Sequence, residues 1–213
     1  MNKTRIILII ASSIDGRIAF PHGGKTDLGS LEDKKLLSES LSEVDATIFG
    51  SGTLKAHQST FLVKQNGSHL SCKQPVSIVT GDIRNFSSTW SYFKQPIKRW
   101  LINSKRSKLK SNLNFNREFL FRGSWKKTLD LLNNEGIKSI ALLGGTKLIN
   151  SFMEENLIDE IKITIVPKII GGKFSWIPSF SGDNLSNLNN HWVLKSVKEF
   201  NTNEIFIHYT RKK

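Results

Sequence analysis

Three apolar β runs in this chain break at small residues and lead into helical patterns. They are Ile10-Ala11-Ser12-Ser13-Ile14-Asp15-Gly16-Arg17, Ala46-Thr47-Ile48-Phe49-Gly50-Ser51-Gly52-Thr53 and Ile140-Ala141-Leu142-Leu143-Gly144-Gly145-Thr146-Lys147-Leu148-Ile149. Glycine at such a break lets backbone approach a ligand with no Cβ in the way. In open α/β sheets, ligands bind at strand ends of this kind. The pattern predicts an α/β enzyme for a phosphate-bearing nucleotide cofactor.

The rest of the chain fits that frame. Ile6–Ala11 reads as a buried first strand. Ser30 reads as a helix N-cap, with Asp33 three residues on as its capping-box partner, and Leu37, Leu41 and Val44 follow at helical spacing. Ala46–Phe49, Pro75–Thr80, Trp100–Asn103, Phe119–Phe121, Ile140–Leu143 and Ile161–Val166 read as strands. Residues 64–74 read as a polar loop. Ser124 is the expected cap of a helix carrying Trp125, Leu129 and Leu132, stopped at Gly136. Thr146–Asn156 reads as a helix. Val193–Phe200 and Glu204–Thr210 flank Asn201-Thr202-Asn203 as a closing β-hairpin. Strands alternating with helices predict a mainly parallel sheet covered on both faces, with an antiparallel edge. No linker or repeat interrupts 213 residues, so residues 1–213 are expected to form a single domain.

Composition narrows the class. The single cysteine, Cys72, leaves no disulfide framework and no cysteine-rich zinc site, consistent with a reducing cytoplasm. The apolar run after Arg5 is too short for a signal peptide core and is better read as a strand. No stretch approaches the ~20 apolar residues of a membrane span. The formal net charge is +13, and residues 94–127 hold eleven Lys or Arg against one acid, Glu118. That segment is either a nucleic-acid surface or a solvated basic face that attracts an anionic cofactor and substrate. Its spacing matches no nucleic-acid-binding motif, so the second reading is preferred.

Gly144-Gly145-Thr146 is the best phosphate site: two glycines expose N–H groups, a helix N-terminus follows, and Thr146 adds a hydroxyl. Gly50-Ser51-Gly52-Thr53 repeats the logic as a turn, but neither site has Walker or Rossmann spacing. Asp15 either contacts substrate or holds its turn before Gly16. Of His22, His57, His69, His191 and His208, His57 alone falls beside one of these breaks, in an expected loop. None has metal-ligand spacing, and no nucleophile elbow is present.

Together the three junctions resemble the riboflavin-pathway pyrimidine reductases, a family with a dihydrofolate-reductase-like fold. The matching stretches are Ser13-Ile14-Asp15-Gly16-Arg17-Ile18-Ala19, Val44-Asp45-Ala46 on to Gly50 and Thr53, Leu142-Leu143-Gly144-Gly145, and Leu157-Ile158-Asp159-Glu160-Ile161 on to Val166-Pro167-Lys168-Ile169-Ile170-Gly171-Gly172. The resemblance implies a three-layer fold, NADPH as hydride donor, and a 5′-phosphorylated ribosylamino-pyrimidine whose C1′ is reduced. It also implies a homodimer. By position it places Ser12, Thr53 and Gly145 through Ile149 at the cofactor, and Gly50, His57 and Gly144 are further candidates there. Ser13, Asp15, Phe61, Lys64 and Leu143 are candidate substrate contacts, and Asp15 and His57 are candidate proton donors.

The chain departs from the family at polar positions. His57 stands for an aspartate, Ser59 for a proline, Leu41 and Lys64 for arginines, Leu143 for a glutamate, and Ile9 for a lysine common in bacterial members. Asp82 lies near the expected cofactor-phosphate loop, where an acid opposes a 2′-phosphate. A lone Cys72 cannot build the His/Cys/Cys zinc site of a deaminase, so a stand-alone reductase is expected. Two further readings remain: a diverged reductase of another pterin or pyrimidine, and a non-catalytic nucleotide- or nucleic-acid-binding protein on the same scaffold.

Overall fold

The computed structural model describes residues 3–64, 72–103, 113–177 and 192–212. Among them, nine strands form one sheet: β1 (Arg5–Ser13), β2 (Ala46–Gly50), β3 (Val76–Gly81), β4 (Arg99–Asn103), β5 (Arg117–Leu120), β6 (Ser139–Leu142), β7 (Glu160–Val166), β8 (Trp192–Glu199) and β9 (Ile205–Arg211). Their order is β5-β4-β3-β2-β6-β1-β7-β9-β8. Every pairing from β5 to β7 is parallel, and β9 then runs antiparallel to both β7 and β8. This is the expected α/β fold, a mainly parallel sheet with a C-terminal antiparallel hairpin.

Helices cover both faces, as an all-parallel central sheet requires. Ile6, Leu8 and Ile10 of β1 face one way, onto α3 (Trp125–Asn134) and α4 (Thr146–Glu154) through Leu129, Leu132, Ile149 and Phe152. The alternate residues face the other way. There Ile7 meets Leu41 of α1 (Leu31–Ser42), while Phe49, Val79 and Leu101 pack on Leu54 of α2 (Ser51–His57) and on Tyr92 and Phe93. The sheet is thus the middle of three layers. Among the described residues no helix is long and apolar enough to cross a membrane.

Three local expectations are corrected. Gly50-Ser51-Gly52-Thr53 is not a turn and His57 is not in a loop: Ser51–His57 is a short helix, ended by Gln58 in the left-handed region (φ 54°). With Leu54 as its buried residue and glycines at its start, the segment shows no apolar repeat to read. Ser124 does not cap α3 with its own side chain. It donates instead to Glu155 (2.9 Å), whose carboxylate accepts the Trp125 and Lys126 N–H groups (2.6 and 2.9 Å). The Ser30 capping box is half made: Ser30 Oγ accepts from Asp33 N–H (3.3 Å), but Ser30 N–H donates to Glu204 (2.9 Å), not to Asp33. Glu204 follows the hairpin turn, so α1 is capped by the last part of the chain, and the Asp33 side chain is left for another use.

The basic segment is partly structural. Arg99 is buried, with its guanidinium donating to the carbonyls of Tyr92 (2.9 Å), Ile97 (3.1 Å) and Gln95. Arg117 pairs with Glu135. Residues 104–112 of that segment, and the histidines His69 and His191, lie outside the described residues.

Candidate active site

A cleft of about 1320 Å³ opens at the C-terminal ends of β1, β2, β3, β6 and β7, on the face covered by α1 and α2. Strand order makes this the crevice: β6 enters the sheet between β2 and β1, and the connections to either side leave a gap at the strand ends.

One wall is mainly backbone. The end of β2 and the end of β6 are tied by a hydrogen bond from Gly50 N–H to Gly144 O (3.1 Å). The Gly144–Gly145 peptide is cis, and Gly144 lies at φ +97°, where a Cβ is unfavourable. Gly145 is the N-cap of α4, and its carbonyl accepts from Leu148 and Ile149 N–H (2.9 and 3.1 Å). A Cβ built on Gly145 stands 3.4 Å from Thr53 Oγ1, while Cβ atoms on Gly50 and Gly52 meet open space. This is a cradle with room for a ligand and a helix N-terminus facing it.

The opposite wall is side chain. Asp33, Lys34, Leu37 and Ser40 come from α1, Lys162 and Thr164 from β7, and Lys25 and Asp27 from the loop before α1. Lys162 Nζ donates to Ser40 Oγ (3.1 Å), and Lys34 pairs with Asp27 (2.7 Å). Burial raises the Asp33 carboxyl from its ordinary value; hydrogen bonding with Thr164 and the charge of Lys34 oppose the rise, and Glu204 and Asp27 add to it. His57, the last residue of α2, also lines the cleft. Burial lowers its imidazole below the ordinary value, Lys25 lowers it further, and Asp27 opposes both.

Of the residues expected at the cofactor, Gly50, Thr53 and His57 line the cleft, as do Gly145, Thr146, Lys147 and Leu148. Ser12, Gly144 and Ile149 stand behind the wall; Ile149 is fully buried in the core, and Ser12 donates to the Ser13 carbonyl (3.1 Å). Thr146 reaches the cleft, but its hydroxyl donates to Ser175 O (2.5 Å). Of the residues expected at the substrate, Phe61 and Leu143 line the cleft. Lys64 does not: its backbone is held by Ser38 (3.0 Å) and its side chain is exposed.

Asp15 is a brace. It accepts from Ser13 Oγ (2.6 Å), Ile170 N–H (3.0 Å) and Gly171 N–H (2.7 Å), with Arg17 alongside. The Ser13 hydroxyl and these amides hold its carboxyl well below the usual range. These contacts fit the turn-holding reading of Asp15, and it is not among the residues that line the cleft. Asp82 also has local work: it caps the turn at Ile83–Asn85 and pairs with Arg84, which offsets its charge. Leu41, where the family has an arginine, is fully buried against Ile7 and Val44.

The residues missed from sequence are Asp33, Ser40, Lys162 and Thr164. One signal for the strand pair was present: Glu160, Lys162 and Thr164 alternate with Ile161, Ile163 and Ile165, which marks a polar face on an otherwise buried strand. Among the described residues no group of three or more His, Cys, Asp or Glu gathers as a metal site.

The profile of the RibD C-terminal domain matches residues 4–205. The chain belongs to this family. It is similar to the 2,5-diamino-6-ribosylamino-4(3H)-pyrimidinone 5′-phosphate reductase of Aquifex aeolicus, at 24% identity over 194 residues, covering 81% of each chain. Among solved structures it is similar to Acinetobacter baumannii RibD, with TM-score 0.84 and 18% identity, covering 99% of this chain and 59% of that one. The chain therefore spans about three-fifths of that RibD. The Enterococcus faecalis dihydrofolate reductase complexed with NADP(H) aligns with TM-score 0.58 and 13% identity over 100% of this chain and 99% of that one. The family's three-layer fold is thus the one the sheet order and helix faces describe.

Proposed function

We propose that this chain is an NADPH-dependent reductase of riboflavin biosynthesis. On this reading it converts the ribosylamino group of 2,5-diamino-6-ribosylamino-4(3H)-pyrimidinone 5′-phosphate, or of its uracil counterpart, to ribitylamino. The observation that carries the reading is the two-walled cleft, with a glycine cradle at a helix N-terminus facing a polar wall, in a chain of the RibD C-terminal domain family. Its described lining holds five lysines (Lys25, Lys34, Lys147, Lys162, Lys173) and two aspartates (Asp27, Asp33), a balance suited to two phosphate-bearing ligands.

The fit of the cofactor rests on the cradle. The α4 N-terminus and Gly145 offer N–H groups to a pyrophosphate, Thr53 and Lys147 flank it, and the bare faces of Gly50 and Gly52 leave room for the dinucleotide. NADPH, when bound, supplies a hydride to C1′ of the ring-opened sugar. The chain's part is alignment: the side-chain wall holds the pyrimidine while the glycine wall holds the donor. His57 lines the same cleft, and burial lowers its imidazole below the ordinary value, which favours the neutral, hydrogen-bonding form over the cation.

The same reading has all of this carried by one domain, supported by the single sheet that joins β1 to β9. It includes a cytoplasmic homodimer. The edge strand β8 supports self-association: Val193, Leu194 and Val197 are 42%, 51% and 55% exposed on it. The buried Arg99 and the paired Arg117 speak against a nucleic-acid surface.

The test is loss of reduced-nicotinamide absorbance with purified protein, NADPH and either phosphorylated substrate. Turnover is expected. NADPH binding without turnover of either substrate overturns the assigned reaction and favours a diverged substrate.

A further inference from the structure

Glu204 is a carboxylate at 4% exposure, one residue ahead of β9. A buried charge is costly unless donors reach it. Here a single residue supplies two: Ser30 N–H reaches Oε1 (2.9 Å) and the Ser30 hydroxyl reaches Oε2 (2.6 Å). The hydroxyl hydrogen is thereby committed to Glu204. The lone pairs of Ser30 Oγ are left to face the helix, where they accept from Asp33 N–H (3.3 Å). The cap of α1 is thus oriented from outside the helix. A second tie runs the other way: Asn201 N–H, in the hairpin turn, donates to Glu32 Oε2 of α1 (3.0 Å). The start of α1 and the end of the hairpin each hold a backbone N–H of the other.

Ser30 is also the joint of the side-chain wall. The loop before it contributes Lys25 and Gly29 to the cleft lining, and the helix after it contributes Lys34 and Leu37. Phe206, two residues after Glu204, lines the same cleft and is in register with Thr164 of β7. Glu204 itself is not among the lining residues. It stands behind the wall, where loop, helix and β9 meet. The glycine wall hangs on a tie of its own, Gly50 N–H to Gly144 O, which shares no residue with this clamp.

We propose that Glu204 is a positioning residue for the pyrimidine substrate: through Ser30 it sets where the side-chain wall stands, without touching the ligand. This rests on the reductase reading above. A cap that only stabilises α1 changes how much protein is folded, not how the folded protein binds. A cap that seats the wall changes KM for the ligand held by that wall and leaves the ligand on the other wall alone.

The experiment compares the wild-type chain with Glu204→Gln, Ser30→Ala and the double variant. Glutamine keeps the shape of Glu204 but turns an NH2 group toward one of the two Ser30 donors. Each protein is checked for folding by urea titration. Where it is folded, KM for the phosphorylated pyrimidine is measured, with NADPH affinity by nucleotide fluorescence. Glu204→Gln is expected to raise the substrate KM by about three- to tenfold, the net worth of one hydrogen bond, with NADPH affinity unchanged. Ser30→Ala is expected to act in the same direction. The double variant should be no worse than the worse single one, because both break one chain of contacts. Three results overturn the proposal and leave the reductase reading standing. They are a lower urea midpoint with the substrate KM unchanged, a loss of NADPH affinity as large as the rise in substrate KM, and a double variant whose KM rise is the product of the two single ones. Should Glu204→Gln not fold, Ser30→Ala decides alone, since it cuts the path on the helix side and leaves Ser30 N–H to partner the charge: a raised substrate KM supports the proposal and an unchanged one overturns it. Turnover of neither candidate substrate by the wild type removes the reductase reading and this proposal with it.

Discussion

The wall that β2, β6 and α4 present to the cleft is backbone, and the wall that α1 and β7 present is side chain. The first is built from neighbours in sequence: an apolar strand, then Gly144-Gly145, then a helix. The second is built from residues far apart, joined only because α1 lies across the strands beside it: Asp33 with Thr164, Ser40 with Lys162. A backbone wall suits a ligand common to many enzymes, since N–H groups and helix ends hold phosphate whatever side chains surround them. A side-chain wall suits the ligand that differs between relatives, because one substitution changes which edge it accepts.

Substitutions can break the division wall by wall. The largest effect is expected at Gly145. Valine there places branched carbons against Thr53 Oγ1, already 3.4 Å from the first of them, and fills the cradle. NADPH affinity, read by nucleotide fluorescence, is expected to fall by about ten- to hundredfold, the scale of overpacking a tight site. An unchanged affinity would show that the dinucleotide is held elsewhere. Gly29→Ala is the matching test of the other wall. Its Cβ collides with the Asp33 carboxylate, so KM for the pyrimidine substrate is expected to rise about tenfold, as for one misplaced charge-assisted hydrogen bond, with NADPH affinity unchanged. If both ligands weaken together in either variant, the walls do not act separately.

The same division explains what could be read in the sequence. The sheet, its hairpin and the glycine wall were legible, because each signal is local: Ile140–Leu142 runs straight into Gly144-Gly145, and Asn201-Thr202-Asn203 separates two alternating strands. Helix α2 was not, since seven residues with glycines just before Thr53 carry no periodicity. Asp33 was assigned a cap because Ser30 precedes it by three. Nothing local shows that Glu204, from the far end of the chain, takes that position instead. Asp15 could be read either as a substrate contact or as the holder of its turn before Gly16, and the amides of Ile170 and Gly171 that favour the second come from a loop more than a hundred residues away. Side chains that meet across the fold leave a mark in one sequence only when they break a pattern, as Lys162 and Thr164 do among the isoleucines of β7.

A third variant separates both walls from the scaffold. Glu155 caps α3 from the end of α4, away from the cleft, and accepts two N–H groups and the Ser124 hydroxyl. Glu155→Ala is expected to cost about 1–2 kcal/mol in urea unfolding, the scale of a lost helix cap. Both Michaelis constants should be unchanged where the protein is folded. A change in NADPH affinity would mean that the glycine wall depends on how α4 is seated at its far end, and that backbone alone does not define it.

The smallest effect concerns the cleft histidine. Burial makes His57 less basic in the folded protein than in the unfolded chain, whose imidazole has the ordinary value of 6.5. Between those two values the unfolded chain binds the extra proton, so stability falls as pH falls. The contribution of His57 is therefore fully present above the unfolded value, declines as pH descends through it, and levels off below the folded value. His57→Gln removes it. The urea midpoint of the wild type should drop more between pH 8 and pH 5.5 than that of the variant, and the difference between the two isolates this residue from other titrating groups. Equal drops would mean that His57 is as basic when folded as when free. The charge on Lys25 would then be screened by the solvent of an open cleft, and the imidazole would be wet rather than buried.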